Sequence, residues 1–328
     1  MALVITYDNE SLQDGLGSQA LRILGIYSVA KLLGIHYQHT PIMAFEEEYS
    51  HGMKEENAES NLLDQVNDFF CFPSKTRKTQ VEEVLRKREI GFLALLRLRL
   101  RFLFTKKTVL LRLLLPFNIT DRIPWVYSAG IYYLRRRNQD ALVPKDIYVV
   151  HVRRGYGYLT MNPAFFRPRH LPYDYYSAAL GVIANRFFHD KQLKIIVHTD
   201  LSPIDIKWKP FQERQVAAAK KSLGVEGKFE GLLLPGIDLK ERIKFPENAL
   251  VEIEYCSSFM KTFLDMSNCK VLIQSKSSLS YLAGLLNRGI VIWPNSHGHA
   301  RYPLWKNSLK LGLRQEDFRP LIEGRPDR

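Results

Sequence analysis

Cysteine is scarce: the 328-residue chain holds three, Cys71, Cys256 and Cys269, at spacings that fit neither a disulfide framework nor a zinc site. The sparse, odd count favours a reducing compartment. No run of eighteen uncharged apolar residues occurs, which argues against a membrane-spanning helix. Met1 leads directly into a strand-like run, without the basic start and apolar stretch of a secretory leader. Internal repeats and low-complexity tracts are also missing. Acid is in deficit, with 34 Asp and Glu against 47 Lys and Arg, and the formal net charge is +13. Such a balance raises nucleic acid as a partner, yet the basic residues form no recognition motif, and the 16 tyrosines sit mostly in apolar contexts.

What is present is an alternation of short apolar runs and helical stretches, the pattern of an α/β fold. Leu3 to Thr6 reads as a strand, and Gly15-Leu16-Gly17-Ser18-Gln19 as a glycine turn. Leu21, Leu24, Ile26, Tyr27, Ala30 and Leu33 then recur at helical spacing, with Gly34 as C-cap and Ile35 to His39 as the closing strand of a βαβ unit. Glycines before a helix let a ligand approach the backbone where the helix dipole favours negative charge, although a plain tight turn has the same sequence.

Two further segments carry chemistry. Val149-Val150-His151-Val152 is an apolar strand that runs into Arg153-Arg154-Gly155. Arginines at the carboxyl edge of a parallel sheet suit the oxygens of a diphosphate; the competing reading is a solvated basic turn. Lys270 to Gln274 reads as a strand and Leu279 onward as a helix, with Ser275, Lys276, Ser277 and Ser278 between them. Hydroxyls, an ammonium and free N–H groups thus meet at a helix N-terminus. An N-cap alone would need only one of those serines.

In this order, Gly15-Leu16-Gly17-Ser18-Gln19, His151-Val152-Arg153-Arg154-Gly155 and the segment from Asp265 to Ala283 resemble the fucosyltransferase superfamily of α1,2-, α1,6- and protein O-fucosyltransferases. The resemblance spans about residues 3 to 295 and points to a bacterial-type member. It implies a GT-B fold, with two Rossmann-like domains facing across a cleft. Residues 1–144 would form the acceptor-side domain, with a basic, apolar helical insertion at about 46–120, and 145–328 the domain that binds the nucleotide sugar. It also implies an inverting transferase that takes GDP-fucose, without a metal or other cofactor, and acts on a glycan or lipid-linked glycan. Arg154 would hold the β-phosphate. Gly15, Gly17, His151, Arg153, Asp200, Ser275, Ser277 and Ser278 would line the substrate site. Asp14 is the candidate base, against the plainer role of a turn residue, and Glu46 to Glu48 are a weaker alternative. Relatives that carry Asp after the Arg-Arg-Gly differ from this chain, which continues Tyr156-Gly157-Tyr158. The acceptor is therefore left open.

Arginines and lysines from Arg86 to Arg112 interleave with leucine-rich helical stretches, Ile90 to Leu96, Leu98 to Phe104 and Val109 to Leu115. This is either an internal helical pair with a solvated face or a segment lying on an anionic membrane. The expected location is the cytoplasm, with peripheral contact to the inner membrane and no nucleic acid partner. Two alternatives within the same fold are a transferase for another nucleotide sugar and a membrane-associated protein that has lost catalysis.

Overall fold

The computed structural model describes residues 3–10, 15–44, 61–74, 81–104, 107–153, 171–187, 192–199, 239–255, 257–294, 299–300 and 302. They divide into two compact units, with the break between Val143 and Pro144; residues 299–302 belong with the first.

The first unit is built on a four-stranded parallel sheet in the order β2-β1-β4-β3. Its strands are β1 (Leu3–Tyr7), β2 (His36–Tyr37), β3 (Glu83–Glu89) and β4 (Val109–Leu115). Helix α1 (Leu16–Leu33) links β1 to β2 and ends at Gly34 in the left-handed region (φ 60°). Glycine takes that conformation without the Cβ clash other residues meet. Lys31 is the one exposed residue of α1, so the helix is a core element rather than an amphipathic cover. After α2 (Leu62–Phe69), helix α3 (Phe92–Leu103) connects β3 to β4, and α4 (Ser128–Arg137) packs back on α1. The contact with α4 is close: a Cβ on Gly130 would lie 2.4 Å from Leu24 Cδ1 and 2.5 Å from Ser28 Oγ.

Here the structure departs from the expected helical insertion. Val109–Leu115 is the strand between β1 and β3, buried along most of its length, and Glu83–Glu89 is the edge strand. A seven-residue run that is apolar except for Arg112 and buried along most of its length has no alternation to separate it from a buried helix. The glycine turn also differs, since Gly17, Ser18 and Gln19 already lie in the first turn of α1.

The second unit carries a five-stranded parallel sheet in the order β7-β6-β5-β8-β9. Its strands are β5 (Lys145–Val152), β6 (Leu193–Thr199), β7 (Ala249–Tyr255), β8 (Cys269–Ile273) and β9 (Ile290–Ile292). Between them lie α5 (Tyr173–Phe187), α6 (Phe259–Asn268) and α7 (Ser278–Leu286). Val150, Val152, Ile195, Val197, Val271 and Ile273 form the core with Tyr176, Ala179 and Ile183 of α5. Each unit is thus a parallel α/β sheet, the class expected from the alternating pattern, and Rossmann-like, as the resemblance implied.

Candidate functional site

In the second unit the chain winds outward from β5 through β6 to β7, then returns to the other side of β5 as β8 and β9. The winding reverses between β5 and β8, and open α/β sheets bind ligands in the crevice outside the carboxyl ends of such a pair. Val150 pairs with Ile273, which brings the ends of both strands to one level. His151 and Arg153 follow from one strand, and Gln274, Ser275, Lys276, Ser277 and Ser278 from the other.

This edge is tightly organised. His151 Nδ1 and Ser275 Oγ, both buried, lie 2.8 Å apart. The Ser280 hydroxyl is within hydrogen-bonding distance of the carbonyls of Ser275 (3.0 Å) and Ser277 (3.1 Å), and Gln274 Nε2 donates to the Ser280 carbonyl at 2.6 Å. Ser277 caps α7, its hydroxyl accepting from the Leu279 N–H at 3.3 Å. The buried Gln274 Oε1 meets no hydrogen-bond partner among the described residues. Burial pushes the Lys276 amine below its ordinary value. A helix N-terminus with surplus hydroxyls, a half-buried ammonium and the half-buried Arg153 across the crevice can take an anion of several charges. Ser275, Ser277, Ser278, His151 and Arg153 therefore share one sheet edge. Arg154 and Asp200 lie outside the described residues, as does Asp14.

Beside it is a polar cluster that spacing alone did not single out. Asp265 of α6 accepts from Lys145 Nζ at 2.7 Å, faces His198 Nε2 at 3.2 Å and lies 3.4 Å from Lys261 Nζ. Thr262 Oγ1 is 3.4 Å from the other nitrogen of His198. Burial opposes ionisation of Asp265, but the His198 and Lys145 hydrogen bonds and the charges of Lys145 and Lys261 outweigh it. They hold the carboxyl well below the usual range. His198 thus helps hold α6 against the sheet. Asp265 stands at the head of the late motif, but nothing in the sequence points to its partners.

Gly15 and Gly17 belong to the other unit. Gly15 is the extended N-cap of α1 (φ −60°, ψ 148°), with no side-chain cap, and its carbonyl accepts from Ser18 N at 3.0 Å and Gln19 N at 3.2 Å. Gly17 is buried in the first turn. Gln19, the last residue of the glycine motif, donates to the Ala44 carbonyl at 2.9 Å and accepts from Tyr7 OH at 3.3 Å. Its amide thus ties α1 to β1 and to the segment after β2. A carboxylate that the sequence reading passed over, Asp8, sits buried where the chain leaves β1. Its Oδ1 accepts from the Glu10 N–H at 3.4 Å.

No family model and no curated protein matches the chain. Among solved structures, it is similar to E. coli heptosyltransferase WaaC with ADP-2-deoxy-2-fluoro heptose, at 12% identity and a TM-score of 0.37, covering 96% of this chain and 100% of the other. POFUT1 in complex with GDP-fucose shows 8% identity and a TM-score of 0.37, with 88% and 95% covered. Fucosyltransferase NodZ from Bradyrhizobium shows 11% identity and a TM-score of 0.33, with 91% and 97% covered. Similarity at this level assigns neither donor nor acceptor.

Proposed function

We propose that this protein is a glycosyltransferase of GT-B type that moves fucose from GDP-fucose to a hydroxyl of a glycan or lipid-linked glycan, with inversion at the sugar carbon. The observation that carries the reading is the convergence of His151, Arg153 and the Ser275–Ser278 helix start at the winding reversal of the second sheet. The order of the three motifs supports fucose as the sugar.

In this reading the diphosphate lies against the N-terminus of α7, with Ser277 and Ser278 as hydroxyl partners and Arg153 and Arg154 as cations. As the bond from sugar to β-phosphate breaks, its electron pair goes to the phosphate while the sugar becomes oxocarbenium-like. Donors already in place stabilise that growing charge more than they stabilise the bound substrate. The acceptor oxygen attacks the opposite face and gives its proton to a carboxylate, for which Asp14 is the candidate. Asp8, at the carboxyl end of β1, is the second carboxylate to test.

Calorimetric titration of GDP, GDP-fucose, GDP-mannose, UDP and ADP into the protein and its Arg154→Ala variant, in EDTA, tests the donor. Guanine-selective binding that the substitution weakens supports the reading. Absent binding, or equal binding of every nucleotide, would remove it.

A further inference from the structure

Helix α3 carries two apolar stripes. Leu95 and Phe102, with Arg99 between them, face inward: both apolar residues are buried, and Arg99 reaches Gly34 at the end of α1. On the opposite side Leu93, Arg97, Leu100 and Phe104 follow at i, i+4, i+7 and i+11 and form a second line along the helix and its C-cap. Leu93 is 65% exposed, Leu100 48% and Phe104 90%, and Leu103 beside them is 55% exposed. Single exposed leucines are ordinary; three large apolar side chains in register on the outermost line of one helix are not.

The charge around this line indicates what covers it. From Ile90 to Thr120 the sequence contains no Asp or Glu. Arg97 and Arg101 are exposed on α3 and make no ion pair among the described residues; Arg101 lies over the Phe102 ring at 5.7 Å. Lys87 and Arg88 on β3 and Lys107 before β4 are exposed as well. Arg86 and Arg112, by contrast, share an ion pair with Glu10. Among the described residues no helix is long and apolar enough to cross a membrane. A twelve-residue helix with an exposed Leu/Phe line, unpaired arginines and no acid is suited to lie in an interface, its apolar side chains among acyl chains and its guanidinium groups at phosphates.

We infer that the outer face of α3 is a docking surface for an anionic phospholipid bilayer, formed by Leu93, Leu100 and Phe104 with Arg97 and Arg101. The inference stands apart from the donor reading, which concerns the other unit. It also narrows the membrane segment expected from sequence, because Val109–Leu115 is a core strand and cannot take part.

The test is co-flotation of the full chain with vesicles of phosphatidylcholine containing 30 mol%, roughly, of phosphatidylglycerol, against vesicles of phosphatidylcholine alone. The wild type is expected to float with the anionic vesicles and to be released by raised salt. Leu93→Gln/Leu100→Gln/Phe104→Gln should lose at least about tenfold in partitioning, since each buried side chain contributes separately. Arg97→Gln/Arg101→Gln should lose about fivefold per arginine. All five positions are exposed, and unchanged circular dichroism and melting temperature would confirm folding. Absence of flotation, or flotation indifferent to the apolar triple, overturns the inference. So does a dimer, or a duplex-DNA complex, that the triple disrupts while vesicle binding is nil.

Discussion

Both units place a helix N-terminus after an inner strand, but they equip it differently. At α1 the cap is a bare glycine, the nearby glutamine is spent on internal hydrogen bonds, and the strand leaves through a buried carboxylate, Asp8. At α7 the cap is a serine that bonds its own helix, and the adjoining strand leaves through His151 and Arg153. Since each helix start offers partial positive charge, the side chains around it decide the ligand. Under the proposed function, the phosphate-binding side chains gather at the start of α7 rather than at the start of α1. The same α/β plan thus carries hydroxyls and cations at one strand edge and a buried carboxylate at the other.

The largest effect that would sharpen this contrast is expected at Arg154. If the proposed transfer and the proposed role of Arg154 hold, replacing it with Ala should cut turnover at saturating donor by about 10²–10³, the loss expected for one charge that stabilises a leaving group. In the first unit, Gly130→Ala should destabilise by about 1–3 kcal/mol, since its Cβ would collide with Leu24 and Ser28. Denaturant melts should show the loss while nucleotide affinity of the folded protein is unchanged; a matching fall in affinity would break the separation between the units.

Asp265→Asn should cost a comparable or smaller amount, about 1–2 kcal/mol after allowing for the half-exposed Lys145 partner. Its sign with pH is fixed: the folded carboxyl is held below its unfolded value near 4. The wild-type contribution is therefore complete above about pH 4–5 and fades as the solution is acidified below it. The Asn variant should lack that acid-side slope, and an identical slope in chemical denaturation from pH 6 to pH 3 would contradict the cluster's role.

Smaller still, Ser277→Ala should lose about 1 kcal/mol of stability as a cap, together with several-fold in GDP affinity. A pure cap would lose only the first. At Lys276 the lowered amine pKa predicts that GDP affinity falls toward alkaline pH, earlier than an ordinary lysine would give. Lys276→Met should flatten the profile.

Much of the scaffold was legible because its local signals agree. The β1–α1–β2 unit is written in an apolar run, a three-and-four spacing and the left-handed Gly34. The serine-rich start of α7 and the strand leading to His151 were likewise readable from residue type. Val109–Leu115 was not, because full burial in a parallel sheet erases the alternation that marks a strand. Gln19 gave a motif position but not its partners, which come from Tyr7 and Ala44 far apart in sequence. The Asp265–His198–Lys145 cluster is likewise a product of tertiary packing across more than a hundred residues. Asp8 was hidden by the polar run that follows β1.

The most direct test of the contrast between the two helix starts is amide hydrogen exchange with and without saturating GDP. The account predicts slowed exchange in 274–281 and 148–153, with 16–33 unchanged. Protection confined to 16–33, or none in 274–281, would contradict it.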